Sequence, residues 1–372
     1  MSWSLKLGKV LGIDVKVHVT FILILIWGAF NFGGSAGPLY GVIVTLALFT
    51  LVILHEFGHS LAAMWFGIAV KDITLLPIGG VARLERMPEK PIQELVVAIA
   101  GPAVNVVIAL ILMPIVAWLT FGNVWPPSFS MVRTPGVAGL LTFLFAANIS
   151  LVIFNMIPAF PLDGGRVFRA FIGFFTSYHN ATKIAVWLGR AFAVLMGIYG
   201  VFYGQFFLAL IAMFIFAAGS QEGQAVAVRS ILRNVKASQA IDGNYVALSP
   251  YATVGQVASM MLTSPHPNFP VLDPDNGQFM GVATSSGVAN AMQHGQWHKH
   301  ISEIMHQARN IPSINLNAPL DEAQEMLTTT SSNFVAVFDG LNFRGLITTS
   351  DIYRVFRFLS QSGYPSQSLA SL

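Results

Sequence analysis

His55-Glu56-Phe57-Gly58-His59 lies inside an apolar stretch, Leu39 to Phe66, that is long enough to cross a bilayer. On a helix, two histidines four residues apart share one face and can hold one Zn²⁺ between them. Glu56 stands beside them, placed to take a proton from an attacking water. The five-residue pattern alone is a weak signal, and its setting gives it weight. Two histidines and a glutamate are costly inside a membrane segment, and ionisable residues kept there carry function. The competing reading is three polar residues satisfied within a helix bundle.

The composition around that stretch is that of a membrane protein. Of 372 residues, 54% are hydrophobic and only 10% are charged, against about 25% charged in soluble globular chains. The apolar part runs from residue 1 to about 222, and residues 223 to 372 carry ordinary loops, acids and turns. The fold class expected is therefore a polytopic α-helical membrane protein followed by a soluble α/β region. The net charge of +3 is small and unclustered, so nucleic acid is not an expected partner. The absence of cysteine excludes disulfides and cysteine-ligated metals without assigning a compartment. Residues 1 to 16 are mixed and no small-residue cleavage site follows the first apolar run, which is expected to stay as a membrane helix.

Spanning segments are expected at Val17–Phe32, Leu39–Phe66, Ile92–Phe121 and Gly136–Asn155. A longer stretch, Ile184 to Ala218, reads as two short helices broken at Gly204-Gln205, which makes about six spans. Arg190 in the first of these needs a partner or must reach the interface. Lys6, Lys9, Lys16, Arg83, Arg86, Lys90, Arg166, Arg169 and Lys183 fall on one side of the resulting topology, and only Arg133 lies between spans three and four. The positive-inside rule then makes the N-terminus, the 67–91 loop, the 161–183 segment and the C-terminal region cytoplasmic. His55 and His59 come to the cytoplasmic end of span two, where the end of span four can meet them.

Span four ends in Asn155-Met156-Ile157-Pro158-Ala159-Phe160-Pro161-Leu162-Asp163-Gly164-Gly165-Arg166. Prolines and paired glycines make this a broken segment, tolerated at membrane depth where it lines a cavity or is buried in protein. Asp163 is the carboxylate that a two-histidine zinc site lacks, since catalytic zinc takes three protein ligands and keeps one position open. Its alternative role is to cap the helix that starts near Gly165.

With these residues in hand, the chain resembles the site-2 protease family of intramembrane zinc metalloproteases. The resemblance rests on HEFGH at 55–59, NMIPAFPLDGG at 155–165 and Ala100-Gly101-Pro102-Ala103-Val104-Asn105 in span three. It covers about residues 1 to 222. It implies that His55, His59 and Asp163 are zinc ligands, that Glu56 is the catalytic acid/base, and that Asn155 stabilises substrate or oxyanion. Asn155 has a second possible role, a hydrogen bond holding the broken backbone. Asn105 is read as substrate-binding, or else as bonding another helix. Thr74 to Leu84, with Gly79 and Gly80, suits a re-entrant extended segment whose edge binds the unwound substrate by strand addition, or a loop that dips into the membrane. His18 reads as an interfacial residue, and His179, His266, His294, His298, His300 and His306 read as surface residues.

The soluble region contains an internal repeat. Asn268–Asp273 and Gly281–Ser286 correspond to Asn333–Asp339 and Gly345–Ser350, each strand pair preceded by a helix. The pattern resembles a tandem cystathionine-β-synthase (CBS) pair. The expected division is a membrane domain 1–222, a linker 223–238, a CBS pair 239–361 and a tail 362–372. The resemblance implies a site for ATP or another adenine nucleotide, with Thr348 and Asp351 on the ribose, or a homodimer formed through the pair. In the first repeat Gly287 stands where the aspartate belongs. The function implied is cleavage of a membrane-anchored protein substrate within the lipid bilayer. The rival classes are a CBS-regulated metal or ion transporter, which does not explain Glu56 between the histidines, and a membrane scaffold, which leaves all three donors unexplained.

Overall fold

A computed structural model of the chain describes residues 3–77, 79–85, 87–88, 90–120, 136–241, 245–264, 266–330 and 332–361. Arg86, Arg133 and the expected tail 362–372 lie outside the described residues. The chain divides into two compact units, Met1–Val226 and Ala227–Leu372.

The first unit opens with a feature the sequence reading did not anticipate. Strands β1 (Ser4–Val10) and β2 (Ile13–His18) form an antiparallel hairpin. Strand β2 then pairs in parallel with β3 (Val70–Leu76), which pairs antiparallel with β4 (Gly79–Leu84), giving the order β1-β2-β3-β4. The extended reading of Thr74 to Leu84 is thus realised as the end of a four-stranded sheet. Ile13, Val15 and Ile73 turn one face of the sheet onto Phe57 of the histidine helix. Strand β1, at the outer edge, leaves Leu5 and Leu7 exposed.

Helix α1 (Phe21–Phe32) is shorter than the span expected at Val17–Phe32, because Val17 and His18 belong to β2. Twelve residues at 1.5 Å per residue reach only about 18 Å, short of a hydrocarbon core of roughly 30 Å. Among the described residues five helices are long and apolar enough to cross a membrane. They are α2 (Pro38–Trp65), α3 (Pro91–Leu119), α4 (Val137–Asn155), α6 (Tyr178–Phe202) and α7 (Phe206–Leu232). Helix α2 begins with Pro38 at its first position and stops where Gly67 takes φ +73°, the usual proline-in, glycine-out punctuation. The break expected at Gly204-Gln205 is present, with Gly204 at φ +65°. The helices on either side are long rather than short, and α7 runs on to Leu232, through most of the stretch read as a helical linker. Arg190 finds its partner on α7, donating to Ser220 Oγ at 3.1 Å. A further helix, α5 (Asp163–Gly173), follows the broken segment and packs between α3 and α6.

The second unit holds the two repeats. The first is α8 (Val254–Thr263), β5 (Asn268–Leu272), β6 (Phe279–Thr284) and α9 (Ser285–Gln293). A short helix α10 (Ile301–Ile304) and strands β7 (His306–Gln307) and β8 (Ser313–Asn315) separate it from the second. That repeat is α11 (Leu320–Thr329), β9 (Phe334–Asp339), β10 (Asn342–Thr348) and α12 (Thr349–Gln361). Two three-stranded sheets result, β5-β6-β7 and β10-β9-β8. Thr253 opens α8 with a capping box to Gln256, and Thr284 caps α9 by accepting from Gly287 N–H.

Candidate metal centre

The 55–59 stretch meets neighbours on three sides. His55 and His59 face α3, Phe57 faces the sheet, and Glu56 faces β4. Asp163, the first residue of α5, completes the group: His55 Nε2 and His59 Nε2 are 3.0 Å apart, and Asp163 Oδ2 is 3.2 Å from each. All three residues are buried. Asp163 makes no capping bond to its own helix, so the capping role is not the one it plays.

The donor set fits zinc. His55 Nδ1 faces Asn105 Oδ1 at 2.6 Å and His59 Nδ1 faces the Val97 carbonyl at 2.7 Å. Both partners accept, so both Nδ1 atoms carry the hydrogen and both Nε2 atoms present lone pairs inward. Two imidazole lone pairs and a carboxylate oxygen converging at 3.0 to 3.2 Å repel one another unless a cation lies among them. Four-coordinate zinc with bonds of about 2.0–2.1 Å has donor–donor edges of roughly 3.3 Å, close to this triangle. Gly101 on α3 keeps the space open: a Cβ there would run into His59 Nε2 and lie 2.8 Å from His55 Nε2.

Glu56 is half-buried beside the triangle, its Oε2 accepting from the Ala82 N–H of β4 at 3.2 Å. Gly80 on the same strand passes so close that a Cβ would sit 2.7 Å from Glu56 Cγ. Gly79 starts the strand, opposite Leu76. Asn155, the last residue of α4, is half-buried, and its side chain makes no hydrogen bond among the described residues. It is therefore not the brace of the broken backbone.

The family models match in two places. Peptidase family M50 covers residues 43–134 and 127–198, and the CBS domain covers 237–294 and 301–357. A zinc metalloprotease of Methanocaldococcus jannaschii is 30% identical over 360 residues, spanning 96% of this chain and 98% of the relative. This chain belongs to peptidase family M50. Stage IV sporulation protein FB of Bacillus subtilis is 27% identical over 215 residues, covering 58% of this chain and 67% of that protein. The solved site-2 protease of M. jannaschii is 33% identical, covers 59% of this chain and 95% of the other, and superposes with a TM-score of 0.44. The expected site-2-type metalloprotease with a tandem CBS pair is borne out.

Of the two roles open to Asn105, the structure shows the bond to another helix. In this M50 chain Asn105 is fully buried beneath His55, and its Nδ2 donates to Asn148 Oδ1 at 2.8 Å. Asn148 Nδ2 in turn donates to the Leu144 carbonyl at 2.8 Å. Both ends of its amide are engaged in this way, one by His55 and one by α4. Asn148 was missed, although an asparagine midway along an apolar span is itself a signal.

Also missed was the charge cluster on the sheet. Asp72 is 2% exposed, bonded by Arg83 Nε at 2.7 Å, by Arg83 Nη2 and by Lys16 Nζ at 2.7 Å. The Arg83 guanidinium, opposed by burial and helped by Lys16, holds the Asp72 carboxyl down at about 2. His18 ends β2 with Nδ1 on Thr20 Oγ1 at 2.7 Å. His179 and His266 are half-buried rather than on the surface.

In the second unit a cavity of about 590 Å³ is lined by both repeats, including Tyr245, His266, Thr284, Thr348 and Asp351. Asp351 Oδ2 accepts from Thr348 N–H at 2.9 Å and from Thr348 Oγ1 at 2.6 Å, and Oδ1 accepts from Arg354 at 2.8 Å. Gly287 takes the corresponding place opposite Thr284.

Proposed function

We propose that this M50 protein is an intramembrane zinc endopeptidase that cuts a membrane-anchored protein near the cytoplasmic face. The observation that carries the reading is the convergence of His55 Nε2, His59 Nε2 and Asp163 Oδ2 with Glu56 alongside. These three donors would hold zinc, which would supply Lewis acidity to the scissile carbonyl and to water. Glu56 takes the proton of the attacking water and returns it to the leaving amine. Asn155, whose side-chain amide makes no hydrogen bond among the described residues, donates to the oxyanion. Strand β4 is an edge strand beside Glu56, so an unwound substrate segment that adds to it along Gly79 and Gly80 is delivered to the base.

Parallel pairing of β2 with β3 supports a topology with residues 13–18 and 70–76 on the same membrane side, α1 and α2 leaving and returning as a pair despite the shortness of α1. The lysines and arginines on that side support a cytoplasmic N-terminus and cytoplasmic CBS domains. The chain has no cysteine, so Leu341→Cys at a site 98% exposed gives a single label. Labelling by an impermeant maleimide in intact cells would refute this orientation.

The cavity between the repeats suits an adenine nucleotide, with Thr348 and Asp351 turning from each other to the ribose hydroxyls. Cleavage that does not respond to ATP, despite measured binding, would remove a regulatory role. A homodimer through the CBS pair predicts twice the monomer mass by light scattering, and a monomer at all concentrations refutes it.

The deciding test is cleavage of a single-span substrate in detergent by wild type and Glu56→Gln, with zinc measured in both. Zinc in both and cleavage only by wild type is the expected result. Cleavage by Glu56→Gln at the wild-type rate overturns the mechanism, and zinc in neither turns the reading to a transporter.

A further inference from the structure

Arg169 is the largest fully buried side chain among the described residues, 1% exposed, and the chemistry above does not use it. Its Nε donates to Glu94 Oε1 at 2.7 Å, Nη2 donates to the same oxygen, and Nη1 donates to Glu222 Oε1 at 2.7 Å. The rings of Phe160 and Tyr178 each lie 4.7 Å from its guanidinium carbon. One side chain thus gathers α3, the broken segment, α6 and α7 around α5.

Buried ion clusters add little net stability compared with apolar packing, so their stability does not explain their presence. What this one does have is a short path to each part of the metal centre. Glu94 is one turn before Val97, whose carbonyl holds His59 Nδ1. Phe160 is three residues before Asp163, and Arg169 is six residues after it on the same helix. Asp163 makes no capping bond among the described residues, and the turn before it is held by short-range backbone bonds such as Leu162 N–H to the Ala159 carbonyl at 2.9 Å, with Ala159, Phe160 and Leu162 packed on α6 and α7. Where its carboxylate sits is set by how α5 docks.

We propose that Arg169 is a positioning residue that fixes Asp163 against the histidine pair, with Glu94 and Glu222 as its anchors. The proposal rests on the donor assignment made above. A guanidinium fork can bond two carboxylates in one plane and lie between two rings, whereas an ammonium can satisfy the charge and not the geometry.

The test uses the full chain in detergent and compares wild type, Arg169→Gln, Arg169→Lys, Glu222→Gln and His55→Ala. Zinc affinity is measured by chelator competition, the cobalt-substituted spectrum reports donor geometry, and monodispersity and thermal unfolding report folding. Arg169→Gln is expected to bind zinc about tenfold or more weakly, with an altered cobalt spectrum and a fall in kcat rather than a rise in KM. Arg169→Lys recovers part of the affinity. Glu222→Gln, at a carboxylate 31% exposed, folds and shows a smaller loss in the same direction. A folded Arg169→Gln with wild-type zinc affinity and spectrum overturns the proposal. If that variant does not fold, wild-type affinity and spectrum in Arg169→Lys and Glu222→Gln overturn it equally. Unchanged zinc binding by His55→Ala would instead refute the donor assignment, which keeps the two failures apart.

Discussion

Replacing Asn105 by alanine separates a residue that orients a ligand from one that touches substrate. Asn105 is fully buried, accepts from His55 Nδ1 at 2.6 Å and donates to Asn148 at 2.8 Å. Truncation leaves the His55 Nδ1–H and the Asn148 oxygen buried without partners. Each orphaned buried group costs about 1–3 kcal/mol. In the metal-free protein His55 can turn to relieve its share, whereas in the zinc-bound protein Nε2 is tethered and cannot. The difference falls on zinc binding, and roughly 1.4–2.8 kcal/mol corresponds to the 10- to 100-fold loss usual when an outer partner of a metal-bound histidine is removed. The assay is zinc affinity by chelator competition for wild type and Asn105→Ala, followed by kcat and KM at saturating zinc. Weaker zinc with nearly unchanged KM is expected. Wild-type zinc affinity with KM raised several-fold would refute the reasoning and restore Asn105 to the substrate.

Asp72 is held at about 2 by Arg83 and Lys16, below its unfolded value of about 3.9, so its contribution is present above pH 4 and is lost as pH falls towards 2. The loss is roughly 2 kcal/mol, and Asp72→Asn should flatten acid unfolding over that window; an unchanged acid limb would count against the cluster. Gly80→Val drives a side chain into the space of Glu56 Cγ and should cut kcat by about tenfold or more while zinc stays bound; full activity would show that β4 is not pressed against the base. Asp351→Ala removes the carboxylate that accepts from Thr348 and Arg354 and should weaken AMP binding by roughly tenfold in calorimetry, whereas equal affinity would move the nucleotide off the second repeat.

The residues of the metal centre were legible in the sequence because each is improbable where it stands. Histidines four apart and a glutamate in an apolar helix, and an aspartate after a proline-broken span, announce themselves through the cost of burying them. The internal repeat was legible because its strands and helices recur in order, and the CBS elements follow it. The four-stranded sheet was not, since β2 pairs in parallel with β3 across more than fifty residues and β1 alternates too briefly to stand out. Helix α1 was lengthened by the same blindness: Val17 and His18 are apolar enough for a span, and only pairing with β3 reveals a strand. Roles among buried polar residues also needed the fold. Asn105 and Asn155 look alike in sequence, yet one is locked between His55 and Asn148 and the other has no side-chain partner among the described residues. Arg169 reads as a cytoplasmic loop charge until α5 docks and buries it between two carboxylates and two rings. The chemistry of this protein was written locally, in which groups are present and how far apart along a helix they lie. Which partner each group takes was decided by long-range packing, because hydrogen bonds and ion pairs are directional and short, and only the folded chain brings their two ends together.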